Sequence, residues 1–445
     1  MDYFNYSGND WFGNAQIKIK EINLSIFLIK KILIYGLGKS GLSTLQFLKN
    51  KSQVFLFDDL KKNLKNSISY KSIFKKKFDF IIISPGIDIN KCKLSKFLKK
   101  NSKKIYTDLD IFYSFYKNNC ISVTGTNGKS TTCQLLYEIL LNHKYDVRLV
   151  GNIGKPILSA KKIKSKTIFV VEASSYQLEY SRIFQSKYAV LLNISPDHLE
   201  RHKTINNYVR AKFKILNSNF KNSYGFINKN DFLITKELKR RKLKRKILKV
   251  DTQSTENFQK NIENEYFLND ANKENLSFIM AISNKFKLKK KIVIKTLKRF
   301  KGLKYRQQII YKDSFLTIIN DSKSTTFASS ISILKKKSNI YWLLGGIPKQ
   351  GDQFNLDKKY YSNIEAFIYG KNKKFFNNQL RGKIKYNNFD NLSNALKKIF
   401  TIINKENFLK KNIIFSPAAA SFDNFKDFED RGNYFNKLIK KYLNG

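Results

Sequence analysis

The chain has 445 residues, of which 42% are hydrophobic and 27% are charged. At roughly 100 to 200 residues per domain this length predicts two to four domains, and the hydrophobic content excludes a disordered chain. Lys and Arg number 85 against 34 Asp and Glu, a formal net charge of +51. These residues are spread along the chain, whereas a nucleic-acid-binding protein concentrates them on one face or arm. We therefore expect no nucleic-acid partner, and interpret the basic runs at 61–77 and 237–249 as solvated helix faces.

The three cysteines, Cys92, Cys120 and Cys133, are far apart and form no CxxC pair, so we expect neither a disulfide framework nor a zinc site. This usage is typical of a reducing cytoplasm. Two lysines interrupt the apolar stretch 22–37, and no segment reaches the roughly 18 uninterrupted apolar residues that span a bilayer. The first residues also lack the basic start of a secretory signal. We expect a cytoplasmic monomer without a membrane partner.

Short apolar runs that end in a glycine or a small polar residue alternate with longer helix-like stretches. This alternation is typical of parallel sheets flanked by helices and predicts an α/β fold. The predicted strands form three blocks and lie within 31–38, 53–59 and 78–86, then 121–128, 167–174, 188–195 and 224–228, then 315–322, 340–346, 365–370 and 412–418. The breaks between blocks predict three domains, 1–116, 117–302 and 303–445, with about the first thirty residues forming an extension.

The strongest local signal is TGTNGKST at 124–131, a glycine turn between a predicted strand and a predicted helix. Backbone N–H groups in such a turn and at the start of the helix bind phosphates. Lys129 would neutralise the phosphates, and the hydroxyl of Ser130 would ligate Mg²⁺. The turn departs from the common pattern GxxxxGKS/T, because Val123 occupies the position of the first glycine.

A second glycine turn, GLGKSG at 36–41, follows the first predicted strand, and Asp58 and Asp59 come roughly 20 residues later. This spacing fits the dinucleotide-binding pattern GxGxxG followed by an acid that binds ribose. On its own it would predict an NAD-dependent oxidoreductase, which leaves the turn at 124–131 and the third block without a role. What the turn supports physically is a nucleotide pyrophosphate at a helix N-terminus.

Further polar residues follow predicted strands, at the sheet edge where ligands of open parallel sheets bind. Glu172 and His198 stand where a cation bound to ATP would need ligands. His198 and His202 have the i, i+4 spacing of a zinc pair, but no third ligand accompanies them. Four residues of the third block together indicate a pocket for a small anionic substrate: Asp321, Lys323, Lys349 and Ser421.

Taken together, these motifs resemble the Mur ligase family, ATP-dependent amide-forming enzymes of peptidoglycan synthesis. The shared segments are TGTNGKST, GNIG at 151–154, VEASSYQLE at 171–179, NISPDHLERH at 193–202, YVRAKFKI at 208–215, YRQQ at 305–308 and NDSKST at 320–325. They span nearly the whole chain in the order of the family. The resemblance implies a Rossmann-like N-terminal domain, a central P-loop-type ATPase domain and a C-terminal Rossmann-like domain.

The two ends of the chain indicate which member of the family it resembles. The ending SPAAASFDNFKDFEDRG at 416–432, and GLGKSG with SPGI at 84–87, resemble the member that adds D-glutamate to UDP-N-acetylmuramoyl-L-alanine. The implied cofactors are ATP and two Mg²⁺ ions. Another member of the family, or a folylpolyglutamate synthase-like amide ligase that takes a different amino acid, stays open as the alternative.

The resemblance also implies roles for particular residues of this chain. ATP would be bound by Gly125, Thr126, Asn127, Gly128, Lys129, Ser130, Thr131, Asn275, Arg306 and Asp321. The UDP substrate would contact Gly38, Lys39, Ser40, Asp58, Ser84, Asn152 and Gln177. D-glutamate would contact Lys323, Thr325, Lys349, Ser421 and Phe428. The catalytic set would be Lys129, Glu172, His198 and Lys212, and the metal ligands would be Ser130, Glu172, His198 and Lys212.

Lys212 has a special role in this interpretation, because its position matches a lysine that is carbamylated in the family. A bare ammonium beside Mg²⁺ would be repelled. Addition of CO₂ turns the amine into a carboxylate, which can ligate the metal. The resemblance therefore implies a carbamylated Lys212.

Overall fold

The computed structural model describes residues 25–60, 64–253, 262–267, 270–349, 351–404 and 410–443. Most of the segment predicted to be an N-terminal extension lies outside these residues. The described residues form three sheets with helices between the strands, as the predicted α/β fold requires. The chain divides into two compact units, 1–300 and 301–445. None of the helices within the described residues is long and apolar enough to cross a membrane.

The first sheet has four parallel strands in the spatial order β2-β1-β3-β4. The strands are β1 (Lys31–Tyr35), β2 (Gln53–Phe57), β3 (Phe80–Ile83) and β4 (Ile105–Tyr106). The helices are α1 (Lys39–Leu48), α2 (Tyr70–Lys75), α3 (Ser95–Lys100) and α4 (Asp108–Phe115). The central strand β1 is buried at four of its five residues, because helices or the neighbouring sheet cover both of its faces.

The second sheet has six parallel strands in the order β10-β9-β8-β5-β7-β6. The strands are β5 (Cys120–Thr124), β6 (Val147–Gly151), β7 (Ile168–Glu172), β8 (Tyr188–Leu191), β9 (Tyr224–Asn228) and β10 (Lys246–Val250). The helices are α5 (Lys129–Asn142), α6 (Ser175–Tyr180), α7 (Leu199–His202), α8 (Ile205–Phe213), α9 (Phe232–Lys239), α10 (Asp270–Lys285) and α11 (Lys290–Arg299). The phosphate-type turn at 124–131 therefore joins the central strand β5 to its helix.

Asp110 joins the first two sheets. Its Oδ1 accepts hydrogen bonds from Ser181 Oγ (2.9 Å) and from the backbone N–H groups of residues 182–184 (2.8 to 3.0 Å). Its Oδ2 accepts from the N–H of Thr107 at 2.9 Å. One apolar core also includes side chains of both sheets. These contacts explain why both sheets belong to one compact unit.

The third sheet has six strands in the order β11-β12-β16-β13-β14-β15, and only the pairing of β11 with β12 is antiparallel among its described pairs. The strands are β11 (Gln308–Lys312), β12 (Leu316–Asn320), β13 (Ile340–Leu344), β14 (Ile364–Tyr369), β15 (Lys385–Phe389) and β16 (Lys411–Phe415). The helices are α12 (Phe327–Leu334), α13 (Lys373–Leu380), α14 (Leu392–Ile403) and α15 (Phe428–Leu443).

Each sheet lies within one of the three predicted domain ranges, and the boundary between the two compact units falls at 300/301. The three-domain division itself stays a prediction. Within the part of the chain that the structure describes, all eleven predicted strands are present, and five strands that were not predicted accompany them: β4, β6, β10, β11 and β15. The interpretation of 237–249 as a solvated helix face is wrong for its second half, because α9 ends at Lys239 and β10 begins at Lys246.

Candidate active site

The glycine turn predicted to bind phosphates forms the loop 125–128 between β5 and α5. Gly128 precedes α5 with a φ of +77°, a left-handed conformation that residues with side chains adopt at a cost. A Cβ at this position would also lie 2.0 Å from Oδ1 of Asn275. Both restrictions require glycine. The first N–H groups of a helix have no partner within the helix, so the N-terminus of α5 has the geometry that binds anions.

The loop is held by its own lysine and by Asn193, which follows β8. Nζ of Lys129 donates hydrogen bonds to the carbonyl oxygens of Gly125 (2.8 Å) and Thr126 (2.7 Å). The N–H of Thr126 donates to the carbonyl oxygen of Asn193 at 2.9 Å. The N–H of Asn127 donates to Oδ1 of Asn193 at 2.8 Å. The loop therefore has a defined conformation in the protein alone.

The other residues of this unit that were predicted to bind ATP lie in or against the first turn of α5. Ser130 and Thr131 are buried, and the hydroxyl oxygen of Thr131 lies 3.2 Å from that of Tyr266. Asn275 on α10 is 1% exposed, and its Oδ1 accepts a hydrogen bond from the hydroxyl of Thr132 at 3.3 Å. The structure thus brings the predicted residues from Gly125 to Thr131 together with Asn275 at one end of the second sheet.

Lys212 lies on α8, 1% exposed, behind the same loop. Its Nζ donates to the carbonyl oxygen of Gly125 at 2.7 Å and lies 4.6 Å from the centre of the Tyr208 ring. Burial, and after it the charge of Lys129, holds the pKa of Lys212 well below its ordinary value. A lowered pKa favours the neutral amine, which is the nucleophilic form of lysine.

Glu172 ends β7 and is 1% exposed. Its Oε1 accepts a hydrogen bond from Nδ2 of Asn152 at 2.7 Å. Its Oε2 is buried and has no hydrogen-bond partner within the described part of the chain. Such an oxygen is costly to bury without a donor or a cation, and Mg²⁺ prefers oxygen ligands. The carboxylate of Glu172 therefore fits a magnesium ion.

The two histidines of the SPDHLERH segment have different environments. The His198 side chain is 38% exposed, with Nε2 3.3 Å from Asp197 Oδ2 and Nδ1 3.6 Å from Glu200 Oε1. His202 is buried, and its Nε2 lies 3.0 Å from the hydroxyl oxygen of Ser175. Burial lowers the pKa of His202 to about 4. His198 is therefore accessible to a ligand, whereas His202 is a neutral, packed side chain.

Among the described residues, no three His, Cys, Asp or Glu side chains form a group that could hold a metal. The magnesium ligands implied by the resemblance include only two residues of these types, Glu172 and His198. The other two are the hydroxyl of Ser130 and a carbamate on Lys212. Ser130 lies in the first turn of α5, Glu172 ends β7 and Lys212 contacts the loop 125–128, whereas His198 lies in the segment between β8 and α7.

The first glycine turn, between β1 and α1, is closely packed. A Cβ on Gly41 would lie 1.9 Å from the carbonyl oxygen of Gly36, which itself has a φ of +92°. The hydroxyl of Ser84, after β3, donates to the same carbonyl oxygen at 2.6 Å. Gly38 and Lys39, by contrast, are exposed at the start of α1. An anion can therefore reach the N-terminus of α1 from solvent.

Asp58, at the end of β2, holds this turn and also lines a cavity. Its Oδ2 accepts a hydrogen bond from the N–H of Leu37 at 2.6 Å, and its Oδ1 accepts from Leu60 at 2.9 Å. The cavity has a volume of about 460 Å³, within the range of small-molecule sites. Its other lining residues include Asp59, Tyr70 and Lys93. Of the residues predicted to bind the UDP substrate in the first sheet, Asp58 thus lines a cavity, and Gly38 and Lys39 stand at an open helix N-terminus.

Ser40 and Gln177 are brought together by Asp108, a buried residue that the sequence analysis missed. Nε2 of Gln177 donates to Oδ1 of Asp108 at 3.1 Å, and the hydroxyl of Ser40 also interacts with this carboxyl. Burial raises the pKa of Asp108. Oε1 of Gln177 accepts from the N–H and hydroxyl of Ser174, both at 3.1 Å. Gln177 is 2% exposed, so its amide holds the protein's own groups, and its contact with substrate stays a prediction.

In the sequence, Asp108 stands in the segment TDLDIF at 107–112. Asp108 lies in the first turn of α4, where acidic residues are typical of any helix. The sequence alone therefore does not distinguish an Asp108 that caps a helix from one that joins two sheets.

Asp321 and Arg306 belong to the second unit and are described within it. Asp321 follows β12, with Oδ2 accepting from the hydroxyl of Ser416 at 2.8 Å and Oδ1 accepting from the N–H of Gln307 at 3.0 Å. Burial raises the pKa of Asp321 to about 7, although both hydrogen bonds and the charge of Arg306 act in the opposite direction. This carboxyl therefore titrates near neutral pH.

The residues predicted to bind D-glutamate follow three strands of the third sheet or begin α15. Nζ of Lys323 lies 3.7 Å from the centre of the Phe428 ring. Thr325 precedes α12, and Ser421, after β16, is 3% exposed. Lys349 follows β13. Burial raises the pKa of the nearby Asp352, and the charge of Lys349 acts in the opposite direction. The structure places all five residues at the carboxyl-terminal edge of one sheet.

Arg431, also missed by the sequence analysis, holds the loops that carry these residues. Its side chain is fully buried. Its Nη2 donates to the carbonyl oxygens of Ser322 (2.8 Å) and Ala419 (2.9 Å), and its Nε donates to the hydroxyl of Ser322 (3.1 Å). One guanidinium thus ties the loop after β12 to the loop after β16. An arginine in the acidic segment FEDRG at 428–432 is usually interpreted as an exposed helix residue.

The chain is similar to known proteins of one family. The family model "Mur ligase middle domain" matches residues 123–294. UDP-N-acetylmuramoylalanine--D-glutamate ligase of Rickettsia felis is 36% identical over 93% of this chain and 97% of the relative. The protein of the same name from Buchnera aphidicola is 35% identical over 93% and 98%. The chain belongs to the Mur ligase family, which confirms the resemblance stated above.

Two solved structures show the same fold at low identity. UDP-N-acetylmuramate-alanine ligase MurC from Thermotoga maritima is 15% identical, with a TM-score of 0.54 over 93% of this chain and 99% of that chain. MurF ligase from Thermotoga maritima in complex with ADP is 14% identical, with a TM-score of 0.53 over 92% and 95%. The predicted fold class is confirmed.

Proposed function

We propose that this chain is an ATP-dependent ligase that joins D-glutamate to UDP-N-acetylmuramoyl-L-alanine in peptidoglycan precursor synthesis. The relatives that it matches over nearly their full length carry that activity in their names. The observation that carries the proposal is the loop 125–128, where two lysines and the N-terminus of α5 converge beside a buried carboxylate. This arrangement suits phosphoryl transfer, in which the protein mainly positions and neutralises.

In the proposed reaction, the carboxylate of UDP-N-acetylmuramoyl-L-alanine attacks the γ-phosphorus of ATP, and ADP leaves. The amine of D-glutamate then attacks the resulting acyl phosphate. The amide bond forms as inorganic phosphate leaves and the amine loses a proton. Lys129 and the N–H groups of α5 would hold the phosphates of ATP, and Asn275 would approach the adenine.

The Mg²⁺ ions would be held by Ser130 and Glu172, and by His198, with carbamylated Lys212 as a further ligand. Bound Mg²⁺ offsets the charge of phosphoryl oxygens. In the second unit, Arg306 and Asp321 would contact phosphate and ribose. Lys323, Thr325, Lys349 and Ser421, with the backbone near Phe428, would hold D-glutamate.

The UDP substrate would lie along the first sheet and the adjoining part of the second. Its pyrophosphate would meet Gly38, Lys39 and Ser40 at the N-terminus of α1, and the uridine would lie near Asp58 and Ser84. Asn152 and Gln177 would face the muramoyl part. The partners are therefore small molecules, and we include a cytoplasmic location and a monomeric state in the proposal.

The experiment is release of ADP and phosphate by the purified chain with UDP-N-acetylmuramoyl-L-alanine, ATP and Mg²⁺. D-glutamate is compared with L-glutamate, meso-diaminopimelate and L-alanine. We expect turnover with D-glutamate alone. Turnover with a different amino acid would refute the assignment of D-glutamate while keeping the chemistry, and no turnover with any amino acid would refute the ligase itself.

A matched pair of variants ties the activity to the loop. Lys129→Met removes the ammonium that bonds the loop and should abolish turnover. Lys166→Met removes the same charge from an exposed position and should leave turnover unchanged. Equal activity of the two variants would contradict the role of Lys129.

Carbamylation of Lys212 has a test that does not use turnover. Its Nζ shares the carbonyl oxygen of Gly125 with Nζ of Lys129, so two ammonium groups would repel each other there. We expect native intact mass, measured with bicarbonate present, to show one added CO₂ that Lys212→Met lacks. An unmodified chain, or the same addition in the Lys212→Met variant, would refute the modification.

A further inference from the structure

Loop 125–128 is also connected to a carboxylate that the proposed mechanism does not use. Glu274 lies on α10, where its Oε1 accepts hydrogen bonds from Nδ2 of Asn193 (3.0 Å) and Nδ2 of Asn228 (3.1 Å). Asn193 follows β8, and Asn228 ends β9. One carboxylate oxygen therefore joins two strand ends to α10.

Asn193 carries this contact on to the loop, because its Oδ1 accepts the N–H of Asn127 at 2.8 Å. An asparagine amide has one acceptor atom and one donor atom on opposite sides. If the amide of Asn193 were turned over, its NH₂ group would face the N–H of Asn127. A carboxylate can only accept hydrogen bonds, so Glu274 selects the orientation in which Oδ1 faces the loop.

The residue after Glu274 contacts the same loop. Asn275 packs so closely against Gly128 that an added Cβ would lie 2.0 Å from its Oδ1. Two consecutive residues of α10 thus act on opposite ends of the loop, Glu274 through Asn193 and Asn275 directly. The position of α10 is thereby tied to the backbone that precedes α5.

We propose that Glu274 is a positioning residue of the ATP site. Through the amide of Asn193 it holds the backbone of residues 126–127 in the conformation that receives the phosphates of ATP. The proposal rests on the proposed ATP site at 124–131. It goes beyond that site because Glu274 is assigned a role without contact to nucleotide or metal.

The first test compares Glu274→Ala with Glu274→Gln in the full chain. Alanine leaves the amide of Asn193 without its acceptor, and we expect the Kd for MgATP to rise about tenfold. The Oε1 atom of glutamine can still accept from both asparagines, so we expect Glu274→Gln to stay within about twofold of the wild type. The measurement is calorimetric titration with MgATP, together with KM for each substrate and kcat.

A second pair of variants tests the path through Asn193 without removing volume. Asn193→Asp places a carboxylate against Glu274, and like charges repel, so the Kd for MgATP should rise about tenfold. Adding Glu274→Gln to this variant supplies an NH₂ donor to the carboxylate introduced at position 193, and binding should return to the wild-type value. Failure of the second substitution to rescue the first would overturn the proposal.

The control is Glu365→Ala. Oε1 of Glu365, on β14, also accepts a hydrogen bond from an asparagine, Asn387 Nδ2 at 2.8 Å, so the same kind of contact is lost in the other unit. We expect its Kd for MgATP and all KM values to be unchanged.

The outcomes separate this inference from the proposed function. A wild-type chain that does not bind MgATP would refute the ATP site and the inference with it. Binding by the wild type with an equal Kd for Glu274→Ala would refute the inference alone. A rise in KM for the UDP substrate as large as that for ATP would also refute it, because a positioning role at loop 125–128 predicts an effect confined to ATP.

Discussion

Replacement of Asp321 by asparagine should change how the stability of the second unit depends on pH. Burial raises the pKa of Asp321 from 3.8 to about 7 in the folded protein. In the unfolded chain the same carboxyl has an ordinary pKa near 3.9. The folded state therefore binds a proton more tightly than the unfolded state does. The contribution of this carboxyl to the free energy of unfolding is fully present below about pH 4 and is lost as the pH rises to about 7.

The magnitude follows from the difference between the two pKa values. Each pH unit between the two values lowers the free energy of unfolding by about 1.4 kcal/mol, and the whole interval amounts to about 4 kcal/mol. The asparagine side chain would not titrate. It could still accept the N–H of Gln307 through Oδ1 and donate through Nδ2 to the hydroxyl oxygen of Ser416, which can turn its own proton towards Ser330. The substitution should therefore remove the pH dependence without leaving a buried group unpaired.

The assay is urea unfolding of the full chain between pH 4 and pH 8, followed by tryptophan fluorescence. Trp342 is fully buried in β13, and a Trp11→Phe background makes it the single tryptophan, since the chain contains two. Asp321→Asn should be more stable than its parent at pH 7.5, and the difference should shrink towards pH 4. Unfolding curves that differ by the same amount at every pH would refute the raised pKa of Asp321.

Three substitutions test other parts of the structure. Gly128→Ala should lower ADP release more than a hundredfold, because its Cβ would meet Asn275. The control is Gly382→Ala, which should keep full activity, because Gly382 has the same left-handed backbone and no described atom lies within 4 Å of its Cβ. Arg431→Met leaves the buried carbonyl oxygens of Ser322 and Ala419 without this donor and should lower the unfolding free energy of the second unit by about 3 kcal/mol, measured through Trp342. Asp110→Ala removes the acceptor of four donors to Oδ1 and of the N–H and hydroxyl of Thr107 at Oδ2, and should cost about 3 kcal/mol or more by calorimetry. A loss below about 1 kcal/mol in either of the last two would contradict the assigned contacts.

The strands that the sequence predicted and those that it missed differ in their place in the sheet, except that the predicted strand β2 is also an edge strand. β4, β6, β10, β11 and β15, the missed strands, all lie at the edge of a sheet. Interior strands such as β12 are buried on both faces and give continuous apolar runs. Edge strands such as β15, with the sequence KYNNF, are half exposed and carry polar residues that avoid further pairing. Their pattern therefore resembles that of a loop.

The same reasoning explains the error at 237–249. A run rich in lysine is usually a solvated helix face, and α9 does occupy its beginning. β10 follows because β9 leaves one edge of the second sheet unpaired, and the half-exposed segment KILKV can pair with it. That pairing partner lies some twenty residues away in sequence, so no local pattern contains it.

The site also contains residues that the sequence predicts and residues that it does not. Loop 125–128 was predictable because its backbone requirement is met by glycine, and the glycine stands in the sequence at the point where φ is positive. Asp108 and Arg431 were not predictable, because each acts on segments far away in sequence. Arg431 contacts Ser322, 109 residues before it. Long-range polar contacts of this kind have no fixed spacing, so only the folded structure identifies them.

The two lysines behind the loop show what a motif leaves undetermined. The sequence identifies Lys129 from the turn and Lys212 from the resemblance, as two separate cations. In the structure both donate to the carbonyl oxygen of Gly125, and only Lys212 is almost fully excluded from solvent. Burial penalises the charged form of one partner, and the charge of the other adds to that penalty. The pair is therefore most stable with the charge on Lys129, which leaves Lys212 as the neutral amine that the proposed carbamylation requires.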